Sequence, residues 1–335
     1  MIKNLNYLIL LLAFFNLSAC QGQTTSKEMK ENKTNPLLCD PETGMCEVPG
    51  KENQNKSLQN NTDKTTEKIK IIYFTDPICS SCWGIEPQLR KLKLEYGESI
   101  TIEYRMGGLL PDWSYNSGGI SQPSDVAHHW DEVSLHYQMP IDGDVWLEDP
   151  LDSSYPPSIA FKAAQEQDYN KAQLFMRAIR EMVFLKKVNI AKWENIEKAA
   201  IKVGLDPVQL KNDVEGIGKL KFGQDLELAR KYNVRGFPTM IFEGVNGANE
   251  RVYGSQPYAL YEVALLKLNP AIKKQEYGKT WNELFEVYTS YTLREFAEIS
   301  GVPTSQSESL LNDLVENGKL DRFDTKNGSI WTIIQ

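Results

Sequence analysis

Hydrophobic and polar positions follow two different periods along residues 69–270. β-Branched and aromatic residues dominate residues 69–75 and 100–106, and such short runs between turn formers are typical of buried strands. Between them, apolar residues recur at helical spacing up to Gly97, which predicts a helix that ends there. The alternation of strand and helix patterns predicts an α/β domain.

The centre of this domain is predicted to be a helical insertion over about residues 120–217, where apolar residues recur at helical spacing. After the insertion, the pattern predicts a helix over 219–232 and strands over 240–242 and 251–253. A closing helix over 258–268 completes the domain. The predicted fold is therefore an α/β sheet domain into which a block of helices is inserted.

A second pattern predicts a small module over residues 280–335. Two helices, 292–300 and 304–317, precede an alternating segment around Lys326-Asn327-Gly328, a turn sequence that favours a β-hairpin. This order of elements resembles a winged-helix module. The second helix carries acidic residues and no Lys or Arg, so its charge opposes contact with DNA phosphates. We therefore expect a docking or dimerisation module and no nucleic-acid partner.

The N-terminal segment is predicted to be a lipoprotein signal peptide, residues 1–20, followed by a flexible polar tether, residues 21–68. Lys3 precedes an apolar run over 7–15 that is too short to span a bilayer. The tetrapeptide Leu-Ser-Ala-Cys that ends at Cys20 resembles the lipobox of bacterial lipoproteins, in which the cysteine is lipidated. We therefore expect the chain in the cell envelope, lipid-anchored at a membrane. An ordinary signal peptide with a chance cysteine is the alternative.

Charge and cysteine usage narrow the classes of function. The chain has 335 residues and a formal net charge of −8, without a long basic run, so neither nucleic acid nor an acidic surface is an expected partner. Besides Cys20 there are two close pairs, Cys39 with Cys46 and Cys79 with Cys82. Export would place both pairs where disulfides persist.

Cys79 and Cys82 lie between the strand over 69–75 and the helix that follows it. Unsatisfied backbone N–H groups and the positive end of the helix dipole favour a thiolate at Cys79. A thiolate attacks a disulfide, so Cys79 is the predicted nucleophile and Cys82 the resolving thiol. Half of a zinc site is disfavoured because the sequence has no second pair at ligand spacing. A structural disulfide across two residues would stabilise the fold little.

The residues around this pair resemble a known family. The stretch Phe-Thr-Asp-Pro-Ile-Cys-Ser-Ser-Cys-Trp-Gly, from Phe74 to Gly84, is similar to the active site of the DsbA family, in particular its predicted protein-disulfide-isomerase branch. Pro87 matches the family's helix-kinking proline. Val-Arg-Gly-Phe-Pro-Thr, ending at Thr239, resembles the loop in which thioredoxin-like proteins carry a cis-proline. The resemblance covers about residues 69–270 and implies a thioredoxin-like fold with a helical insertion.

The resemblance also implies roles for residues far from the cysteine pair. It implies that Pro238 is cis and packs beside the pair, and that Phe237 and Pro238 present their backbone to an extended substrate. Many members carry a buried acid six residues before the nucleophile, where this chain has Tyr73. Asp76 and Glu86 are the nearest replacements as proton acceptors, and we expect both to be solvated.

The pair in the predicted tether, Cys39 and Cys46, encloses Asp-Pro and Thr-Gly, which favour turns. The segment can therefore fold back and bring the two thiols together. Two roles are open for this pair. It is either a loop-closing structural disulfide or a second redox dithiol that exchanges with the pair of Cys79 and Cys82.

These observations predict an enzyme, a thiol–disulfide oxidoreductase that oxidises, reduces or isomerises the disulfides of exported proteins through Cys79 and Cys82. Its expected partners are protein thiols and disulfides, a redox-recycling partner and, through the lipid anchor, a membrane. Neither a cofactor nor a metal is expected, since no thiol or carboxylate completes a ligand set in sequence with His128, His129 and His136. Two alternatives stay open: a DsbA-like adaptor that holds a client in cytoplasmic proteolysis, and a copper-delivery protein.

Overall fold

The computed structural model describes residues 39–40, 45–47, 68–114 and 121–334. The predicted lipoprotein signal peptide, with Cys20, and most of the predicted tether lie outside the described residues. Within the described part of the chain, no helix has the length and apolar character needed to cross a membrane.

The strands of the described residues form three sheets. In chain order the strands are β1 (Cys39–Asp40), β2 (Met45–Glu47), β3 (Ile69–Thr75), β4 (Ile100–Met106), β5 (Gly236–Phe237), β6 (Thr239–Glu243), β7 (Asn249–Tyr253), β8 (Ser290–Thr292), β9 (Leu320–Thr325) and β10 (Gly328–Ile333). The largest sheet has the order β4-β3-β6-β7, and the other two have the orders β1-β2-β5 and β8-β10-β9.

Helices account for most of the remaining described residues. In chain order they are α1 (Ser80–Gly84), α2 (Glu86–Tyr96), α3 (Pro123–Tyr137), α4 (Val145–Glu148), α5 (Tyr155–Gln167), α6 (Tyr169–Leu185), α7 (Trp193–Lys202), α8 (Pro207–Asp213), α9 (Lys219–Lys231), α10 (Tyr258–Leu268), α11 (Trp281–Val287), α12 (Leu293–Ser300) and α13 (Thr304–Glu316). A π-helical turn, Val214–Gly218, joins α8 to α9.

β3 lies inside the four-stranded sheet, as its apolar sequence predicts. It pairs in parallel with β4, from Ile69 opposite Ile100 to Thr75 opposite Met106, and antiparallel with β6. The parallel pairing requires a crossover connection, which α1 and α2 supply. β7 pairs antiparallel with β6 at the edge of the sheet. This mixed sheet with surrounding helices is the α/β arrangement expected from the sequence.

Helices α3 to α8 lie between β4 and α9, where a helical insertion is predicted. Their interior is aromatic, with the buried rings of Trp130 and Trp146 centred 5.2 Å apart. Phe184 of α6 stacks on Trp83 at 5.5 Å between ring centres. Because Trp83 directly follows Cys82, this contact fixes the helix of the cysteine pair against the inserted helices.

The C-terminal elements surround a second, smaller core. α11, α12 and α13 pack with the β8-β10-β9 sheet around buried side chains that include Phe285, Tyr291, Phe296 and Trp331. α12, α13 and the β9–β10 hairpin lie close to their predicted positions. α11 and β8 were not predicted, because elements of seven and three residues are too short to show a period.

Buried charges join this C-terminal module to the rest of the chain. Glu295 of α12 has no exposed surface, and its carboxylate accepts hydrogen bonds from the Arg177 guanidinium at 2.7 and 3.0 Å. Arg90 of α2 pairs with the same carboxylate at 3.4 Å and donates to the Ser290 carbonyl at 2.7 Å. Burial opposes ionisation of Glu295, but Arg177 and Arg90 outweigh it and hold the pKa of this carboxyl below its usual value.

Candidate functional site

Cys79 and Cys82 lie where β3 ends and α1 begins. Cys79 is the N-cap of α1, and its sulfur accepts a hydrogen bond from the Cys82 N–H at 3.1 Å. A disulfide joins the two cysteines, whose Cα atoms are 5.1 Å apart. Neither side chain has any exposed surface. The pair is therefore at a helix N-terminus, as the sequence suggests, but it is closed to solvent.

Side chains of the inserted helices cover the residues between the cysteines. Ser80 and Ser81 are fully buried, and the Tyr137 hydroxyl donates a hydrogen bond to the Ser81 hydroxyl at 3.1 Å. The Trp83 indole N–H donates to the Pro140 carbonyl at 3.0 Å. These contacts close the side of the cysteine turn that faces the insertion.

Asp76 is buried, which corrects the expectation of a solvated carboxylate. Its oxygens accept hydrogen bonds from the Ile78 N–H at 3.1 Å, the Leu109 N–H at 2.8 Å and the Ser154 hydroxyl at 2.9 Å. Burial raises the pKa of Asp76 to about 6, and these hydrogen bonds together with the charge of Arg180 limit the rise. Asp76 thus connects the cysteine turn to the loop after β4 and to the insertion, and holds the turn in place.

A buried arginine, Arg180 of α6, lies beside the same turn. Its guanidinium donates to the Glu86 carboxylate at 2.6 Å, the Thr75 hydroxyl at 2.6 Å and the Asp76 carbonyl at 3.2 Å. Glu86 is therefore an ion-pair partner and not the solvated charge that was expected. Tyr73 is fully buried, and burial raises its pKa far above the usual value. The sequence contains one signal that could have indicated the role of Arg180, because this charged residue lies within the apolar pattern of α6.

β5 ends at the Phe237–Pro238 peptide bond, which is cis. The Phe237 ring is buried and lies so close to Gly107 that a Cβ at that glycine would meet the ring Cζ at 1.7 Å. The hydroxyl of Thr239, the first residue of β6, donates a hydrogen bond to the Gly236 carbonyl at 2.7 Å and so holds the first residue of β5 in place. Because the Phe237 side chain is enclosed by the domain, β5 offers a partner its backbone only.

Strands β1 and β2 flank the predicted turn, whose residues 41–44 lie outside the described residues, and we call this pair of strands the β1–β2 hairpin. β1 pairs with β2 so that Cys39 is directly opposite Cys46. β2 also pairs antiparallel with β5, with Cys46 opposite Phe237 and Glu47 opposite Gly236. Cα atoms of β2 lie within 8 Å of Cα atoms of α1, the helix of the second cysteine pair. The hairpin therefore meets both halves of the candidate site, and both roles of its own cysteine pair stay predictions.

The three histidines lie on α3 and are not gathered at one point. His129 is largely buried, whereas His128 is exposed, with its Nε2 3.1 Å from the Glu132 carboxylate. His136 packs edge-on against Tyr137, with ring centres 4.7 Å apart. Among the described residues, no three or more His, Cys, Asp or Glu side chains are grouped so that they could hold a metal ion.

The chemistry available at this site is binding through the backbone. Reactive cysteines occupy partly exposed, electropositive surroundings, whereas fully buried cysteines are inert. A free strand edge, in contrast, pairs with an extended segment through main-chain hydrogen bonds. In this structure the site combines a strand-pairing edge at β5 with a cysteine pair that has no exposed surface.

Comparisons with known proteins give the chain its relatives. Residues 73–263 match the family model described as thioredoxin. A protein of Halalkalibacterium halodurans named ClpXP adapter protein SpxH is 31% identical over 311 residues, which cover 91% of this chain and 99% of the relative. The protein of the same name from Bacillus subtilis is 27% identical over 268 residues, or 78% of this chain and 88% of the relative.

A solved structure adds a likeness of fold alone. A Nitrosomonas europaea protein that is provisionally called a protein disulfide isomerase superposes with a TM-score of 0.51 at 20% identity. The superposition covers 60% of this chain and 96% of that protein. The expected thioredoxin-like fold, with the DsbA-like helical insertion, is thereby confirmed.

The relatives contradict the predicted activity. The prediction of a thiol–disulfide oxidoreductase acting through Cys79 and Cys82 is wrong, because relatives that match most of the chain are named as adapters. The predicted protein thiol and disulfide substrates and the redox-recycling partner are wrong for the same reason, and the predicted membrane partner finds no support. The motif shows a dithiol at a helix N-terminus, but it shows neither the burial of the pair nor the strand that pairs with β5 beside it.

The adaptor alternative agrees with the relatives better than the enzyme does. The family model matches more than half of the chain, and a relative above 30% identity matches nearly all of it. The chain therefore belongs to the thioredoxin family and, within it, to the family of the ClpXP adapter protein SpxH.

Proposed function

We propose that this chain is an adapter that holds a client protein and delivers it to ClpXP, the protease in the names of its relatives. The observation that carries the proposal is the backbone edge of β5, which pairs with an extended strand beside an enclosed cysteine pair. Such an edge holds an extended client segment through main-chain hydrogen bonds and requires no chemical step.

A second surface supports the proposal, because an adapter contacts its client and the protease at the same time. On α10, the apolar side chains of Leu260, Val263 and Leu266 are between 42% and 45% exposed. Residues three apart on a helix are neighbours, so these side chains form a strip along one side of α10. Because the opposite side of α10 is buried in the core, the helix is apolar on both sides, which is typical of a protein-binding surface.

The proposal is tested by the binding of the full chain to ClpXP immobilised on a biosensor surface. We expect saturable binding with a Kd on the order of 10 µM or below, equivalent to about −7 kcal/mol. If ClpXP shows no saturable binding at ~100 µM chain, where such a complex would be mostly formed, the adapter function is wrong.

A Cys79→Ser/Cys82→Ser variant serves as the matched control for sulfur chemistry. An adapter that binds through backbone needs neither sulfur, so we expect a Kd within about twofold of the native value. The midpoint of thermal unfolding is measured in parallel, because both cysteines are buried. Lost binding with an unchanged midpoint counts against the proposal.

The lipoprotein signal peptide and lipidation at Cys20 belong to a second candidate arrangement, which keeps client binding at the β5 edge but not delivery to ClpXP. In that arrangement the chain is held in the cell envelope by its tether, and the β5 edge holds a client there. Its support is the order of segments over residues 1–20, with Lys3 before a short apolar run and a lipobox-like end. The names of the relatives support the first arrangement, with ClpXP as partner, which we call the cytoplasmic arrangement. Lipid labelling of Cys20 decides between the two.

A further inference from the structure

β2 occupies the backbone edge that the proposed function assigns to a client. Among the described residues, β2 is the strand neighbour of β5 in the β1-β2-β5 sheet. We propose that the β1–β2 hairpin is a tethered competitor of the client, which fills the β5 edge in the resting chain and leaves when an extended client segment binds. This proposal rests on the proposed adapter function. It adds that the client segment binds as an extended strand and that the hairpin regulates this binding.

The shape of the edge defines the ligand that fits it. The ring of Phe237 is enclosed against Gly107, so a partner strand at this position pairs with main chain only. Pro238 has no N–H and ends the strand, so pairing is limited to Gly236 and Phe237. The ligand is therefore a short extended segment that runs antiparallel to β5, with little selection for the side chain opposite Phe237.

The hairpin is held weakly enough to be displaced. It meets β5 at two residue pairs, Cys46 with Phe237 and Glu47 with Gly236. An intramolecular hydrogen bond contributes little net free energy, because it replaces hydrogen bonds to water, and an isolated two-stranded hairpin is marginally stable in water. Because the hairpin and the edge belong to one chain, however, the hairpin competes at an effective concentration on the order of 1 mM.

The hairpin also covers more than the β5 edge. Its second strand lies against α1, beside the cysteine pair, whose side chains have no exposed surface. A client segment that replaces β2 would therefore lie against α1 as well as β5. The surface exposed by displacement is the combined face of β5 and α1.

Hydrogen exchange of the full chain tests the pairing itself. A Cys46→Pro/Glu47→Pro variant removes two N–H groups from β2, the central strand of its sheet, where proline is not tolerated. The matched control, Cys46→Ser/Glu47→Gln, changes the same side chains and keeps both N–H groups. Adjacent residues of an antiparallel strand point their N–H groups to opposite sides, so one of Gly236 and Phe237 faces β2. We expect the amide that faces β2 to exchange at least about threefold faster in the proline variant than in the control. Equal exchange in the two variants overturns the competitor.

Binding of a probe peptide tests the vacated edge. The probe is a fluorescein-labelled peptide with the sequence of residues 39–47, Cys-Asp-Pro-Glu-Thr-Gly-Met-Cys-Glu. Titrated up to ~1 mM, it should bind the proline variant at least about threefold more tightly than the native chain or the control, because the tethered copy no longer competes. Equal affinities for the three proteins, or no binding to the proline variant, overturn the proposal that the hairpin competes with the client.

The ClpXP measurement on the same three proteins separates the two proposals. If all three bind ClpXP while probe affinity and exchange are equal, the adapter function stands and the competitor is wrong. If none binds ClpXP, the adapter function is wrong, and the exchange and probe results then concern the hairpin alone.

Discussion

Asp76 lies three residues before Cys79, and its carboxylate holds the cysteine turn through three hydrogen bonds. Burial raises its pKa from 3.8 to about 6 in the folded chain. Between these two pH values the folded chain binds a proton that the unfolded chain has released. The stability that this group contributes is therefore present at low pH and falls as the pH rises through that window.

An Asp76→Asn variant removes this titration. From this group alone, we expect the native chain to lose unfolding free energy on the order of 3 kcal/mol between about pH 4 and pH 7. The difference in stability, variant minus native, should therefore rise with pH, whatever constant loss the substitution causes. Urea unfolding of both proteins at several pH values measures this difference, and a value independent of pH contradicts the assignment.

At the residue scale, the sequence predicts positions better than surroundings. Cys79 at a helix N-terminus follows from a strand, a motif and a helix that are adjacent in sequence. The burial of Asp76 does not follow, because its partners Leu109 and Ser154 are 33 and 78 residues away. The contact of Arg180 with Thr75 spans 105 residues and was missed for the same reason.

Among the elements, long periodic segments were predicted to within about a residue at each end, and the shortest ones were not predicted. β3, β4 and α10 begin and end where the pattern places them. The helix expected after Cys82 is divided at Ile85, and Pro87 stands in the first turn of α2, where its missing N–H leaves no bond unmade. The pairing of β2 with β5 was not predicted, because strands of two and three residues show no period.

The contact of α12 with α6 and α2 yields a prediction at the element scale. A Glu295→Gln variant leaves Arg90 buried without its carboxylate partner, while Arg177 keeps its ion pair with Glu181 at 2.8 Å. Breaking a buried ion pair in this way costs about 3–5 kcal/mol, so we expect a loss of that order in the unfolding free energy. Denaturant unfolding followed by tryptophan fluorescence measures it.

Glu298→Gln, on the same helix, is the matched control for that variant. Glu298 pairs with Lys91 at 2.8 Å, but its side chain is 34% exposed. Partly exposed pairs contribute about 0–1 kcal/mol, so the control should unfold near the native denaturant concentration. Similar losses in the two variants would mean that buried charge does not attach the C-terminal module.

For the whole molecule, the fold was predicted correctly and the activity was not. A cysteine pair at a strand–helix turn and a proline before a strand specify the thioredoxin-like arrangement, and the family match confirms it. The same arrangement serves unrelated functions, so fold and motif together do not select an enzyme over a binding protein. That choice depends on what covers the site, and the covering strand is distant in sequence from β5.

Lipid labelling decides where the whole molecule works. Cells that produce the full chain are fed an alkyne-bearing fatty acid, and the purified chain is then coupled to a fluorescent azide. The lipobox-like sequence predicts label on the native chain and on a Cys39→Ser control, but none on a Cys20→Ser variant. If the native chain is not labelled, the envelope arrangement is wrong and the cytoplasmic arrangement with ClpXP stands.

Glu295 stands between Arg177 and Arg90, which come from different helices, and none of the three is free to change alone. In evolutionary terms the three positions are epistatic, because any single loss of charge leaves another charge buried. We expect them to vary together among homologues or not at all. Selection is therefore expected to act on the sheet domain and this module as one heritable unit.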